Sequence, residues 1–137
     1  MIMMMILLIF LFTIFILPPS TAADHLGKFC DGGNYTANSK YQSNLNLLLT
    51  SLSSKNASYA TDTQGSTPDR AYGLVLCRGN AGPAECQACL QNAAQDVLSL
   101  CPLSKQAVVW YDSCQLRYAD FIFFSIVSEP SPTILIN

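Results

Sequence analysis

Between Tyr41 and Leu52 the apolar residues fall at positions 41, 45, 48, 49 and 52, a spacing that puts them on one side of a helix. Asn38 or Ser39 can cap its start through a side-chain oxygen, and the polar run Ser53-Ser54-Lys55-Asn56 ends it. A second helix is predicted from Gly82-Pro83, where a proline in the first turn costs no hydrogen bond, to about Leu100, before Pro102 stops it. Its apolar stripe is Cys86, Cys89, Leu90, Ala93, Val97 and Leu100. Period-two or short β-branched and aromatic runs predict strands at Tyr59 to Thr63, Tyr72 to Cys77 and Ala107 to Tyr111. From Cys114 onward, Leu116, Tyr118, Asp120 and Ile122 alternate with Gln115, Arg117, Ala119 and Phe121, which suits a strand with one well-buried face. Two helices and four or five short strands, without the spacing of parallel crossover units, predict an α+β fold with an antiparallel sheet. Phe121 to Val127 is expected to be the end of a buried strand, and residues 128–137, with Pro130 and Pro132, an extended or disordered tail.

The first 23 residues follow a different pattern. Ile2 through Leu17 are apolar apart from Thr13, and no charge precedes Asp24. This run falls short of the roughly 20 residues that a spanning helix needs. It is followed by Pro18-Pro19 and the small residues Ser20, Thr21, Ala22 and Ala23, the order of a cleaved secretory signal. Residues 1–23 are therefore expected to leave, 24–127 to form one domain, and the mature chain to have no membrane span.

Charge changes the picture by exclusion. Seven Lys+Arg stand against nine Asp+Glu, a formal net charge of -2, and without a basic run nothing draws in nucleic acid electrostatically. The one histidine, His25, lies just past the expected cleavage site, so a nucleophile-histidine pair would have to use a chain terminus. An exported chain enters an oxidising compartment, and six cysteines, Cys30, Cys77, Cys86, Cys89, Cys101 and Cys114, read there as three disulfides. Their spacing alone leaves fifteen pairings open. Zinc is disfavoured because Cys86 and Cys89 are the one close pair, and the Cys-x2-Cys lacks the strand-helix-strand context of a redox motif. No cofactor and no metal are expected. Two sequons, Asn34-Tyr35-Thr36 and Asn56-Ala57-Ser58, make Asn34 and Asn56 candidate glycosylation sites.

The string from Cys77 to Cys89 has the form Cys-x8-Cys-x2-Cys. Before it stands Pro68-Asp69-Arg70-Ala71-Tyr72-Gly73-Leu74, and after it Trp110-Tyr111-Asp112-Ser113-Cys114-Gln115-Leu116-Arg117-Tyr118. Over about residues 26 to 124 the chain resembles the plant ginkbilobin-type, or stress-antifungal, cysteine-rich domain. That domain occurs in cysteine-rich repeat secretory proteins and in the ectodomains of cysteine-rich receptor-like kinases. The resemblance implies two helices packed on a four- to five-stranded antiparallel sheet, and bridges Cys30-Cys101, Cys77-Cys86 and Cys89-Cys114. It also implies a mannose site at Asp31, Val108 and Ala119, positions where the ginkbilobin-type protein holds Asn, Arg and Glu. Asp31 keeps acceptors but lacks an amide donor, Val108 and Ala119 are apolar, and Asp120 stands one place beyond.

Tyr35, Tyr111 and Tyr118 offer aromatic faces to a sugar or a peptide, although Trp110, Tyr111 and Tyr118, on strands, are expected in or beside the core. Asp112 and Asp120 could be paired for glycoside hydrolysis, but turn capping or solvent exposure is the expected role of each, and Arg117 and Asp112 could form a surface pair. No catalytic residue is assigned. The expectation is a secreted, apoplastic, non-catalytic recognition protein of plant stress or defence, with an extracellular protein or glycan as ligand and receptor-like kinase ectodomains as partners. The alternatives are an antifungal mannose-type lectin and a truncated receptor ectodomain.

Overall fold

The computed structural model describes residues 1–13 and 25–124, and the side chains of residues 10–13 are outside that description. The expected cleavage site and the 128–137 tail lie outside the described residues. In chain order the elements are α1 (Ile2–Thr13), β1 (Gly27–Asn34), α2 (Lys40–Ser54), β2 (Tyr59–Gln64), β3 (Ala71–Cys77), α3 (Pro83–Leu100), β4 (Ser104–Trp110) and β5 (Cys114–Ala119). α1 lies within the predicted signal segment, and its side chains from Ile2 to Ile9 are exposed. Among the described residues no helix is long and apolar enough to cross a membrane.

The two helices expected from the apolar spacing are α2 and α3. Ser39 caps α2, its Oγ accepting from the Gln42 backbone N–H at 3.3 Å, and Gly82 precedes Pro83 at the start of α3. All five apolar positions on α2 are buried, and on α3 Cys86, Leu90, Ala93 and Val97 are. The five strands form one fully antiparallel sheet in the order β1-β4-β5-β3-β2. α2 lies over β2 and β3, and α3 over β4 and β5. Residues directly opposite in an antiparallel pair share a face. One cross-strand row, Ala60, Val75, Leu116 and Val109, therefore faces the helices and forms the core with Leu45, Leu48, Leu52, Leu90 and Val97.

Disulfides join the sheet to one of the two helices, α3. Cys30 on β1 is bridged to Cys101 at the end of α3, Cys77 on β3 to Cys86, and Cys89 to Cys114 on β5. Each bridge thus links the sheet to α3 or its C-cap, in the pairing that the resemblance implies.

One strand was not foreseen, and two expected boundaries need correction. β1 carries no strand signal, because Gly27, Gly32 and Gly33 interrupt it and, as an edge strand, it leaves most side chains exposed instead of alternating. Gly32 and Gly33 adopt positive φ where the register with β4 shifts between Asp31 and Asn34. β4 starts at Ser104, not Ala107, since the β1 ladder also pairs the polar Gln106 and Ser104. β5 ends at Ala119, and the segment expected to continue as a buried strand leaves Phe121 and Ile122 exposed; Val127 lies outside the described residues.

Candidate functional site

The helices cover one face of the sheet, and the register defines what the other presents. One row across it is Gly27, Trp110, Gln115, Leu76 and Tyr59, and the next is Phe29, Val108, Arg117, Leu74 and Thr61. Phe29 is 54%, Tyr59 56%, Leu76 44% and Trp110 38% exposed, a flat and largely apolar surface on a rigid sheet. The segment after β5 folds back onto it. The Arg117 guanidinium carbon lies 4.1 Å from the centroid of the Phe123 ring, and Phe124 meets Tyr72 edge-on at 6.2 Å.

The three positions carried over for sugar binding do not converge equally. Asp31 is exposed at the sheet edge opposite Gln106, which donates from Nε2 to Asp120 Oδ1 at 3.4 Å. Val108 sits on the same open face, opposite Phe29 on one side and Arg117 on the other. Ala119 is 1% exposed, where its cross-strand neighbour Tyr72 packs against Phe124, and it offers no polar side-chain atom. The sequence reading missed that Arg117 returns a guanidinium directly across from Val108. Only the strand register reveals this, because nine residues and a hairpin separate the two in the chain.

Trp110, Tyr111 and Tyr118 lie in or beside the core as expected, and Tyr35 is the aromatic residue that departs from the sequence reading. Tyr35, expected as an exposed platform, is 6% exposed with its ring 5.3 Å from that of Tyr41, because it follows the β1 bulge into the space beside α2. Tyr111 and Tyr118 are buried, and Trp110 is half-exposed on the open face. The Tyr118 hydroxyl donates to the Ser104 carbonyl at 2.8 Å, and the Tyr111 hydroxyl to Asp96 Oδ2 at 2.8 Å. Burial first, and then neighbouring groups, push both phenols well above their ordinary 10.0, so they remain neutral donors.

Arg117 does not pair with Asp112. Asp112 lies in the β4–β5 turn and accepts from Arg78 Nη1 at 3.0 Å, while Arg117 points from mid-strand onto Phe123. Asp112 and Asp120 stand at opposite ends of six-residue β5, about 20 Å apart along the strand, too far for a pair acting on one glycosidic bond. Among the described residues no group of three His, Cys, Asp or Glu side chains could hold a metal ion. The chemistry this face offers is apolar contact, aromatic stacking and one cation held over a ring.

A family profile described as salt stress response/antifungal matches residues 29–120. Cysteine-rich receptor-like protein kinase 6 of Oryza sativa subsp. japonica is 48% identical over 102 residues, covering 72% of this chain and 15% of its own length. Cysteine-rich repeat secretory protein 38 of Arabidopsis thaliana is 37% identical over 107 residues, covering 77% of this chain and 42% of its own. The crystal structure of the tandem DUF26 ectodomain of the Arabidopsis thaliana cysteine-rich receptor-like protein PDLP5 matches with a TM-score of 0.71 at 27% identity, over 75% of this chain and 53% of that one. The chain thus spans less than half the length of these two sequence relatives and about half of the solved ectodomain. With its six bridged cysteines, two helices on an antiparallel sheet and a profile match over most of its length, the chain belongs to the salt stress response/antifungal family of cysteine-rich, DUF26-type domains.

Proposed function

We infer that this chain is exported and acts outside the plant cell as a non-catalytic recognition domain in stress or defence signalling, presenting its open sheet face to an extracellular protein. Residues 1–23 are the signal that leaves, 24–127 the domain and 128–137 its tail. The observation that carries the reading is the exposed face of Phe29, Trp110, Leu76 and Tyr59 on a sheet fastened to α3 and its C-cap by three disulfides. A rigid, flat, aromatic surface keeps the ordering cost of binding low, and aromatic anchors supply much of the free energy of protein interfaces. The family relationship supports ectodomains of cysteine-rich receptor-like kinases as the partner class.

The test is binding of the mature domain to purified ectodomains of such kinases by interferometry, with Phe29→Ala and Trp110→Ala combined. The pair is expected to weaken binding by about 2 kcal/mol, roughly thirtyfold, while Tm stays within a few degrees. Binding that survives the double substitution unchanged would contradict the open face as the recognition surface. The antifungal lectin reading has one observation in its favour: Arg117 lies opposite Val108, in the row next to that of Asp31 and two strands away from it. A glycan array with no response to mannose or mannan would remove it.

A further inference from the structure

The sequon at Asn56 stands beside a cleft with no part in the open face. The α2–β2 loop that carries Asn56, Ala57 and Ser58 is exposed and fixed at both ends. Lys55 N–H donates to the Leu52 carbonyl at 3.4 Å, and Cys77 N–H to the Ser58 carbonyl at 2.7 Å. Across from it runs the loop closed by the Cys77–Cys86 bridge, with Cys86 Sγ 3.8 Å from the Ala57 carbonyl oxygen. Between the two loops is a cleft of about 400 Å³, bordered by Asn56 on one wall, Arg78, Gly79 and Pro83 on the other, and Gln87.

The walls of this cleft are held in place and mixed in character. Arg78 is tied to Asp112 at 3.0 Å and to Glu85 at 3.6 Å, Glu85 accepts from the Ser113 hydroxyl, and Arg78 N–H donates to the Ser113 carbonyl at 2.8 Å. The Gln87 amide nitrogen donates to the Ser53 carbonyl, which leaves its oxygen as an acceptor. A Cβ added at Gly79 or Gly82 would meet nothing within 4 Å, so the loop borders open space. Ala81 and Pro83 supply an apolar ledge, while Arg78 brings positive charge and Gln87 an acceptor. This combination suits a sugar ring with an N-acetyl group: its methyl and apolar ring face need a dry contact, and its amide and hydroxyls need hydrogen-bond partners. Asn34, in contrast, is exposed on edge strand β1 opposite Ser104, at the bulge.

We propose that Asn56 carries an N-linked glycan whose first N-acetylglucosamine lies in the cleft between the α2–β2 loop and the Cys77–Cys86 loop, covering that disulfide loop. The proposal rests on the export inferred above, since the modification is made only in the secretory pathway. It assigns the two sequons different roles: the Asn56 sugar is part of the packed structure, and a sugar at Asn34 would project from the sheet edge.

The full chain is expressed through a secretory pathway that leaves oligomannose glycans, as wild type, Asn56→Gln and Asn34→Gln, and part of each sample is trimmed to a single N-acetylglucosamine. Glycopeptide mass and amide hydrogen exchange in residues 78–82 are read together. The expected result is sugar on Asn56, slow exchange that survives trimming to one residue, exchange about tenfold faster in Asn56→Gln, and no change in Asn34→Gln. Unmodified Asn56 in a secreted, fully bridged protein would overturn the inference while leaving export intact. Modified Asn56 with the exchange rate of Asn56→Gln would overturn the placement in the cleft. Free thiols with no sugar at either sequon would overturn this inference and the export reading together.

Discussion

Replacing Cys30 and Cys101 together by Ser is expected to cost the domain about 4 kcal/mol, the largest loss from removing any one of its bridges. The two residues are 71 apart in sequence, and closing so long a loop restricts the unfolded chain most. The native side of the balance points the same way. β1 is an edge strand with β4 as its one neighbour in the sheet and most of its side chains exposed, so little apolar burial holds it. Besides the disulfide, the Lys28 ammonium reaches the Leu100 carbonyl at 2.9 Å, but an exposed lysine contact contributes little. Urea unfolding of the double variant should show the lower midpoint, with β1 amides exchanging first. Removing Cys77–Cys86, nine residues apart, should cost about 2.5 kcal/mol. A larger loss from the short bridge would show that native-state contacts, not loop closure, set the order.

A second large effect is expected at Gly73. It lies on β3 with its helix-facing side against α2, and a Cβ placed there would stand 2.5 Å from Leu52 Cδ1 and 2.9 Å from Leu48 Cδ2. Both leucines are 0% exposed, so neither can swing aside without α2 lifting from the sheet. Gly73→Val should therefore destabilise by about 3 kcal/mol, which for a domain of this size lowers Tm by about 15 °C. Gly79→Ala is the control. Its added methyl meets nothing within 4 Å, and Tm should move by no more than a few degrees. Equal shifts in the two variants would contradict the close seating of α2 on β3.

Why some elements were legible and others were not follows from what holds each of them. α2 and α3 bury a stripe at helical spacing, and Ser39 and Pro83 mark their starts, so the pattern along the chain carries the information. β3 alternates in burial and was equally readable. β1 is held by its ladder to β4 and by one disulfide, neither of which leaves a periodic trace in Gly-Lys-Phe-Cys-Asp-Gly-Gly-Asn. The end of β5 was misplaced because Phe121 to Phe124 look like strand residues. Their aromatic rings instead fold back, with Phe123 under Arg117 and Phe124 against Tyr72. The open face was hidden for the same reason: Phe29, Trp110, Leu76 and Tyr59 come from four strands and share a surface only through the register. The cysteine framework was legible through resemblance, since spacing by itself did not choose a pairing.

A rigid extracellular recognition surface depends on the sulfur atoms being bridged in an exported protein. The most direct measurement is mass spectrometry of the chain recovered from extracellular fluid and alkylated without reductant. The predicted result is no alkylated cysteine and three cross-linked peptide pairs, joining Cys30 to Cys101, Cys77 to Cys86 and Cys89 to Cys114. Recovery of the folded chain from the cytosol with all six cysteines alkylated would contradict it.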